Sequence, residues 1–214
     1  CQMTIAHIKN KPIICVAAIN PGSTNPLVTG VNDEIPTSFT LSKFPKLKHV
    51  AVVYSASEKI APEIEELEKY AAQQNVILHL AMVQTLVDLP LAVKSAPKNI
   101  EAFLILKDHL IASGINILTQ EANKRSIPVI SSDEGSVSKG ATMAVGVKEK
   151  DIGISGGIIA KKILQGENPQ NISYQTINNL IVFMNEKSLL KQNIITKQDI
   201  LGLKMPIIYF EKQE

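Results

Sequence analysis

The order of residues predicts an α/β protein built from Rossmann-like lobes with parallel sheets, one lobe complete and one incomplete. From His49 onward, short runs rich in Val, Ile and Leu alternate with longer stretches of helical periodicity, the pattern of a parallel sheet covered on both faces. At 214 residues and 45% hydrophobic content, the chain has room for one large or two small domains. The segment before Pro45 holds a single strand pattern and the turn-rich stretch NPGSTNP, too little to bury a core unaided.

Each element has its own signal. Pro12 to Ile19 reads as a strand, as does Val50 to Tyr54. Glu58 to Gln74 carries Ile60, Ile64, Leu67 and Ala71 on one helical face. Val76 to Met82 is the next strand, followed by a helix from about Asp88, with Pro90 in its first turn. Ala102 to Leu106 leads into a helix with Ile111, Ile115, Leu118 and Ala122 on one face and Lys124 and Arg125 at its end. Ile127 to Ser131 is a further strand. Asp151 to Leu164 reads as a helix closed by Gly166, Ile181 to Met184 as a strand, Lys187 to Lys191 as a short helix, and Ile207 to Phe210 as an apolar run. The economical division joins 1–44 and 148–214 as a partial first lobe and leaves 45–147 as a complete second lobe.

Composition excludes several functions. A formal charge of +2 is too small for the electrostatic term that drives nucleic-acid binding, and no apolar run reaches the roughly 20 residues of a membrane span. Cys1 and Cys15 lack metal-ligand spacing and signal no disulfide framework; Cys15, in an apolar run, reads as a buried small hydrophobe. Cys1 fits either a processed lipoprotein terminus or an arbitrary start. Gly135 and Gly140 have phosphate-loop spacing, but Ala141 and Thr142 stand where a lysine and a hydroxyl should follow. Gly153, Gly156 and Gly157 lie inside a helix and read as packing residues. His7, His49, His79 and His109 are scattered singly. No metal site, cofactor or catalytic group is expected.

The polar residues after the strands are more informative, because strand ends of a parallel sheet line its crevice. Ser55, Ser57 and Glu58 follow the first strand of the block, Lys107, Asp108 and His109 the third, and Ser131 to Gly135 the fourth. These groups suit either helix capping or a ligand, with hydroxyls and helix N–H groups taking a carboxylate and Asp108 or Asp133 an ammonium. With 4 Tyr, 5 Phe and no Trp, Tyr54 is the best-placed stacking partner.

The runs PIICVAAINPGSTNPLVTGVND, VAVVYSASE and IPVISSDEGSVSKGATMAVGVKEKDIG, with KKILQGENP after them, resemble the tryptophan/aromatic-amino-acid type of ABC transporter substrate-binding proteins. That resemblance implies a bilobed, periplasmic-binding-protein-like fold and further βα units of the first lobe ahead of PIICVAA. It implies a non-catalytic solute-binding component of an ABC importer, holding a small amino-acid-like ligand in an interlobe cleft and working with an ABC permease. Thr29 and Gly30 would contact ligand from the first lobe, and Ser55, Ser57, Asp108, Asp133 and Glu134 from the second. The implied location is the periplasm or a membrane-anchored extracytoplasmic lipoprotein. Asn20-Pro21, Lys107, His109 and Lys148 to Lys150 depart from the family's pattern. The alternatives are a shortened paralogue acting as an interaction protein or homodimer, and an enzyme using the crevice carboxylates.

Overall fold

The apolar runs become strands and the periodic stretches become helices in a computed structural model, which describes residues 1–210. In chain order the elements are α1 (Gln2–His7), β1 (Ile13–Val16), β2 (Val28–Asn32), α2 (Thr37–Ser42), β3 (His49–Ser55), α3 (Ala61–Gln74), β4 (Ile77–Val83), α4 (Leu89–Ser95), β5 (Ala102–Leu104), α5 (His109–Ser113), α6 (Ile115–Lys124), β6 (Val129–Ser131), α7 (Glu134–Ser138), β7 (Met143–Gly146), α8 (Glu149–Leu164), β8 (Gln175–Thr176), β9 (Ile181–Asn185), α9 (Glu186–Leu189), α10 (Lys197–Leu201) and β10 (Ile207–Phe210). They fall into two units, Cys1–Glu34 with Val147–Leu180, and Ile35–Gly146 with the chain from Ile181 onward.

The larger unit is organised by a seven-stranded sheet in the order β10-β9-β7-β6-β5-β3-β4. All neighbours are parallel except β7 and β9. Strand side chains alternate between faces, and here both faces are buried. Val50 and Val52 pack with Leu104, Ile130 and Met143 on one side. Ala51 and Val53 pack with Phe103, Val129 and Ala144 on the other. Helical periodicity supplies the cover: Ile64, Leu67 and Ala71 of α3 are buried, as are Ile115, Leu118 and Ala122 of α6.

Several boundaries differ from the sequence expectation. The first strand stops at Val16 because Ala17 turns into the left-handed region at φ 53°. The helix expected from Glu58 starts at Ala61, with Pro62 in its first turn. The helix expected beyond Asp108 is two helices broken at Gly114, where a Cβ would meet Leu86 and Leu89 methyls at 2.7 Å. The strands β2 and β7 carry no clear sequence signal of their own. The largest difference concerns 148–214, expected with the N-terminal segment. Its part from Ile181 to Phe210 belongs instead to the larger sheet, where β9 pairs antiparallel with β7, Met143 opposite Met184. Every residue of β9 is buried, so it needs a paired neighbour on each side, and β7 and β10 provide them. Residues 211–214 of that assignment lie outside the described residues.

The smaller unit carries a three-stranded parallel sheet, β1-β2-β8, with α8 packed on β1 and β2. Ile152, Gly156 and Ile159 form the buried stripe of α8. Cys1 and Cys15 are joined in a disulfide, with Cα atoms 5.7 Å apart. This corrects the reading of two unpaired cysteines: across a sequence separation of 14 the chain turns back through α1 and brings the sulfurs together, which spacing alone does not reveal. Cys15 is nonetheless buried, as expected.

The α8 glycines give a test of this packing. A Cβ on Gly156 would meet the Val16 side chain at 2.6 Å, whereas Gly157 has nothing within 4 Å. Val16 is β-branched and stiff. Gly156→Ala should therefore lower the stability of the smaller unit by overpacking, while Gly157→Ala should raise it by about 0.5–1 kcal/mol through helix propensity. Hydrogen exchange of the α8 amides, read in both variants, checks the opposite signs.

Candidate functional site

Chain direction creates the site. From β3 the chain moves outward to β4, then crosses back to place β5 on the other side of β3, with β6 and β7 following. Connections leaving β3 and β5 therefore diverge, and a crevice opens beyond their C-terminal ends. Ser55 ends β3 on one side of it, and Asp108 follows β5 on the other.

Asp108 is 3% exposed, and both oxygens of its carboxylate accept hydrogen bonds. Oδ2 accepts the Ser55 N–H at 2.6 Å. Oδ1 accepts the N–H groups of Leu110 at 2.9 Å and Ile111 at 3.4 Å, capping α5. One side chain thus joins the end of β3 to the helix after β5. These three donors take three of the roughly four acceptor positions of a carboxylate, so Asp108 holds two chain segments together.

The β6 end is arranged differently. Asp133 caps α7: Oδ1 accepts the Ser136 N–H and Oδ2 the Ser136 hydroxyl, both at 2.7 Å. Glu134, next along, is half-buried and makes no hydrogen bond or ion pair with the described residues. Beside it, Ser132 Oγ is buried and meets no partner, alone in this among the side-chain nitrogens and oxygens of the described residues. A buried hydroxyl without a partner forfeits roughly 1–3 kcal/mol, so it is the atom of this edge that most needs something to bind. Sequence reasoning noticed the SSDEG run but did not single out Ser132, because position after a strand cannot distinguish an engaged hydroxyl from an unengaged one.

The other expected residues are dispersed. Tyr54 is half-buried on β3 and packs against the core face that carries Val50 and Val52. Ser57 lies in the β3–α3 loop, where its hydroxyl accepts the Lys59 N–H at 3.4 Å; it does not cap α3, which begins at Ala61. Thr29 and Gly30 belong to β2 in the smaller unit. The Thr29 hydroxyl donates to the Ile172 carbonyl at 2.8 Å. A Cβ on Gly30 would overlap the Cys15 carbonyl and stand 2.9 Å from the Tyr174 ring. Both residues are thus employed inside their own unit.

The smaller unit also has a concavity of about 580 Å³, lined by Asn20, Ser23, Asn25, Gln170 and Tyr174 among others. Burial, with a contribution from the Asp33 charge, pushes the Tyr174 phenol pKa up, and its hydroxyl donates to the Ala18 carbonyl at 2.8 Å. No charged residue lines this hollow, so it offers an amino acid's ammonium and carboxylate no counter-charge. Among the described residues no group of three or more His, Cys, Asp or Glu could hold a metal ion.

A parallel α/β unit with polar groups at its strand ends defines a broad structural class, and comparison with known proteins specifies it. The chain belongs to the ABC transporter substrate binding protein family, whose model matches residues 1–206. That family consists of solute-binding proteins, which are not enzymes. An uncharacterized protein of Rickettsia prowazekii is 56% identical over 199 residues, covering 93% of this chain and 66% of the relative. A tyrosine-binding protein of Clostridioides difficile is 29% identical over 195 residues, covering 85% of this chain and 56% of the relative. The chain therefore spans just under two thirds of the first relative and just over half of the second. Among solved structures, an ABC domain in complex with L-Trp from Streptococcus pneumoniae shares the fold with a TM-score of 0.79 at 21% identity, over 97% of this chain and 77% of that one. A conserved domain protein from Vibrio cholerae does so at 0.82 and 22%, over 97% and 75%.

The engagement of Asp108 yields a stability prediction. An amide has one acceptor oxygen and one NH₂ group, so Asp108→Asn must set a donor against either Ser55 N–H or the α5 N-terminus. Asn ordinarily caps as well as Asp, but here a buried donor is left facing a donor. The variant should lose about 1–3 kcal/mol, measured by denaturant unfolding. A loss below about 0.5 kcal/mol would show that only the cap matters.

Proposed function

We propose that this chain serves as a solute-binding component of an ABC importer, taking a small amino acid, with aromatic ones the first candidates, and delivering it to a permease. The observation that carries this reading is the pair at the β6 end: a buried Ser132 hydroxyl without a partner beside a half-buried, unpaired Glu134 carboxylate. A hydroxyl and a carboxylate suit the polar head of an amino acid, with Glu134 against the ammonium and the Ser132 hydroxyl donating to the carboxylate. Asp108 and Ser55 hold the edge in shape. The names of the C. difficile and S. pneumoniae proteins, which bind tyrosine and L-Trp, support the aromatic class. Family membership supports the transport role.

An extracytoplasmic location accords with the Cys1–Cys15 bond, since disulfides persist in oxidising compartments. No helix among the described residues is long and apolar enough to cross a membrane. A lipid thioether on Cys1 would require the sulfur now bonded to Cys15, so the two modifications are alternatives for that atom. Intact mass of protein taken from its host separates them: the disulfide form is lighter by two hydrogens than the reduced chain, and the lipidated form is heavier.

Ligand binding is tested by a thermal-shift screen of the common L-amino acids, followed by calorimetry. A cognate amino acid at a hundredfold excess over Kd should add about 2.7 kcal/mol of stability. Glu134→Gln should weaken binding by about ten- to a hundredfold, the value of a charge-assisted hydrogen bond at 1.4 kcal/mol per decade. Absence of stabilisation by every amino acid would overturn the ligand class. Unchanged affinity in the Glu134 variant would remove that carboxylate from the site.

A further inference from the structure

The geometry points to a second, unrelated site: a binding position for a first-row transition-metal dication such as Zn²⁺, formed by His49, His79 and Asn99 at the opposite end of β3 from Ser55. His49 opens β3, and His79 on the neighbouring strand β4 lies opposite Ala51, two residues further along. Side chains at this offset share one face of the sheet. The two imidazoles meet there, with His49 Nδ1 and His79 Nε2 3.4 Å apart and ring planes within 17° of each other. Both residues are half-buried and accessible to a small ion.

The spacing is compatible with a metal. The nitrogen–nitrogen contact is a long hydrogen bond, beyond the usual distance of about 3 Å. Two nitrogens each about 2.0–2.1 Å from a tetrahedral zinc stand about 3.4 Å apart, so the separation suits one ion once each ring turns to aim its lone pair at it. A third donor is at hand: the Asn99 amide nitrogen lies 3.1 Å from His49 Nδ1. Amide oxygen and nitrogen exchange places by a simple flip, which would present a carbonyl oxygen. The frame is firm, because Glu101 at the start of β5 accepts the His49 N–H at 2.9 Å and also the Lys48 N–H. Two imidazoles, one amide oxygen and solvent make an open coordination shell, and imidazole selects zinc, copper or nickel over calcium and magnesium.

The site lies roughly 20 Å along β3 from the crevice, so its test is independent of amino-acid binding. Calorimetric titration of the chain with ZnCl₂ should show one saturable site. In ¹H–¹⁵N spectra of the wild-type protein, the ring signals of His49 and His79 should shift on zinc addition, and those of His7 and His109 should not. His49→Gln and His79→Gln should each weaken binding by at least about tenfold, the loss that even outer partners of metal ligands produce. No saturable binding, shifts confined to His7 or His109, or undiminished affinity in both Gln variants would each overturn the site. The wild-type spectra decide the matter even if a variant folds poorly.

Discussion

The Asp108 carboxylate is the constraint on which the binding edge depends. A doubly wound sheet must reverse its strand order somewhere, and at that point the loops on either side diverge with nothing between them. Left alone, the Ser55 N–H and the first N–H groups of α5 would face this gap without partners. A single carboxylate with two oxygens serves all three. Loops are otherwise the least ordered parts of a fold, but here the β3 end and the α5 start are bound to the same buried group. The neighbouring β6 end inherits a fixed frame against which Ser132 and Glu134 are presented.

That frame is stiff because the sheet beneath it is buried on both faces. Phe103 and Phe183 fill one side, while Leu104, Met143 and Met184 fill the other, all essentially inaccessible to solvent. Interiors packed to this degree do not deform continuously. A polar group fixed at a strand end therefore keeps its position to within the tolerance that a small ligand demands. In the smaller unit, α8 packs on β1 and β2 of a three-stranded sheet, and the Cys1–Cys15 bond adds a covalent tie. In the chain-entropy account, closing a loop of about 15 residues is worth about 3 kcal/mol, comparable to burying one or two large apolar side chains.

The fold was legible in the sequence where periodicity was strong. Ile64, Leu67 and Ala71, then Ile115, Leu118 and Ala122, occupy the buried faces that their spacing assigns. The strands of residues 50–131 pair in parallel as expected. What escaped was non-local. The place of β9 is set by pairing with β7, nearly forty residues earlier, and no local pattern encodes a partner's identity. The disulfide likewise depends on how α1 folds back. For the candidate site, the sequence drew attention to the strand-end clusters but not to how their hydrogen bonds are shared out. Asp108, Asp133 and Glu134 look alike as strand-end carboxylates.

Counting the backbone N–H groups that need an acceptor separates them. Each helix that starts at the crevice brings donors without intrahelical partners, and an acidic residue at the N-cap is the cheapest supply. Asp108 and Asp133 sit at such caps and serve that demand. Glu134 is one residue further on, inside the first turn of α7, where no cap geometry reaches it. Its charge is favoured there by the helix dipole, yet its oxygens remain unclaimed. The one-residue offset between Asp133 and Glu134 thus sets a capping carboxylate and one that does not cap side by side at the same strand end.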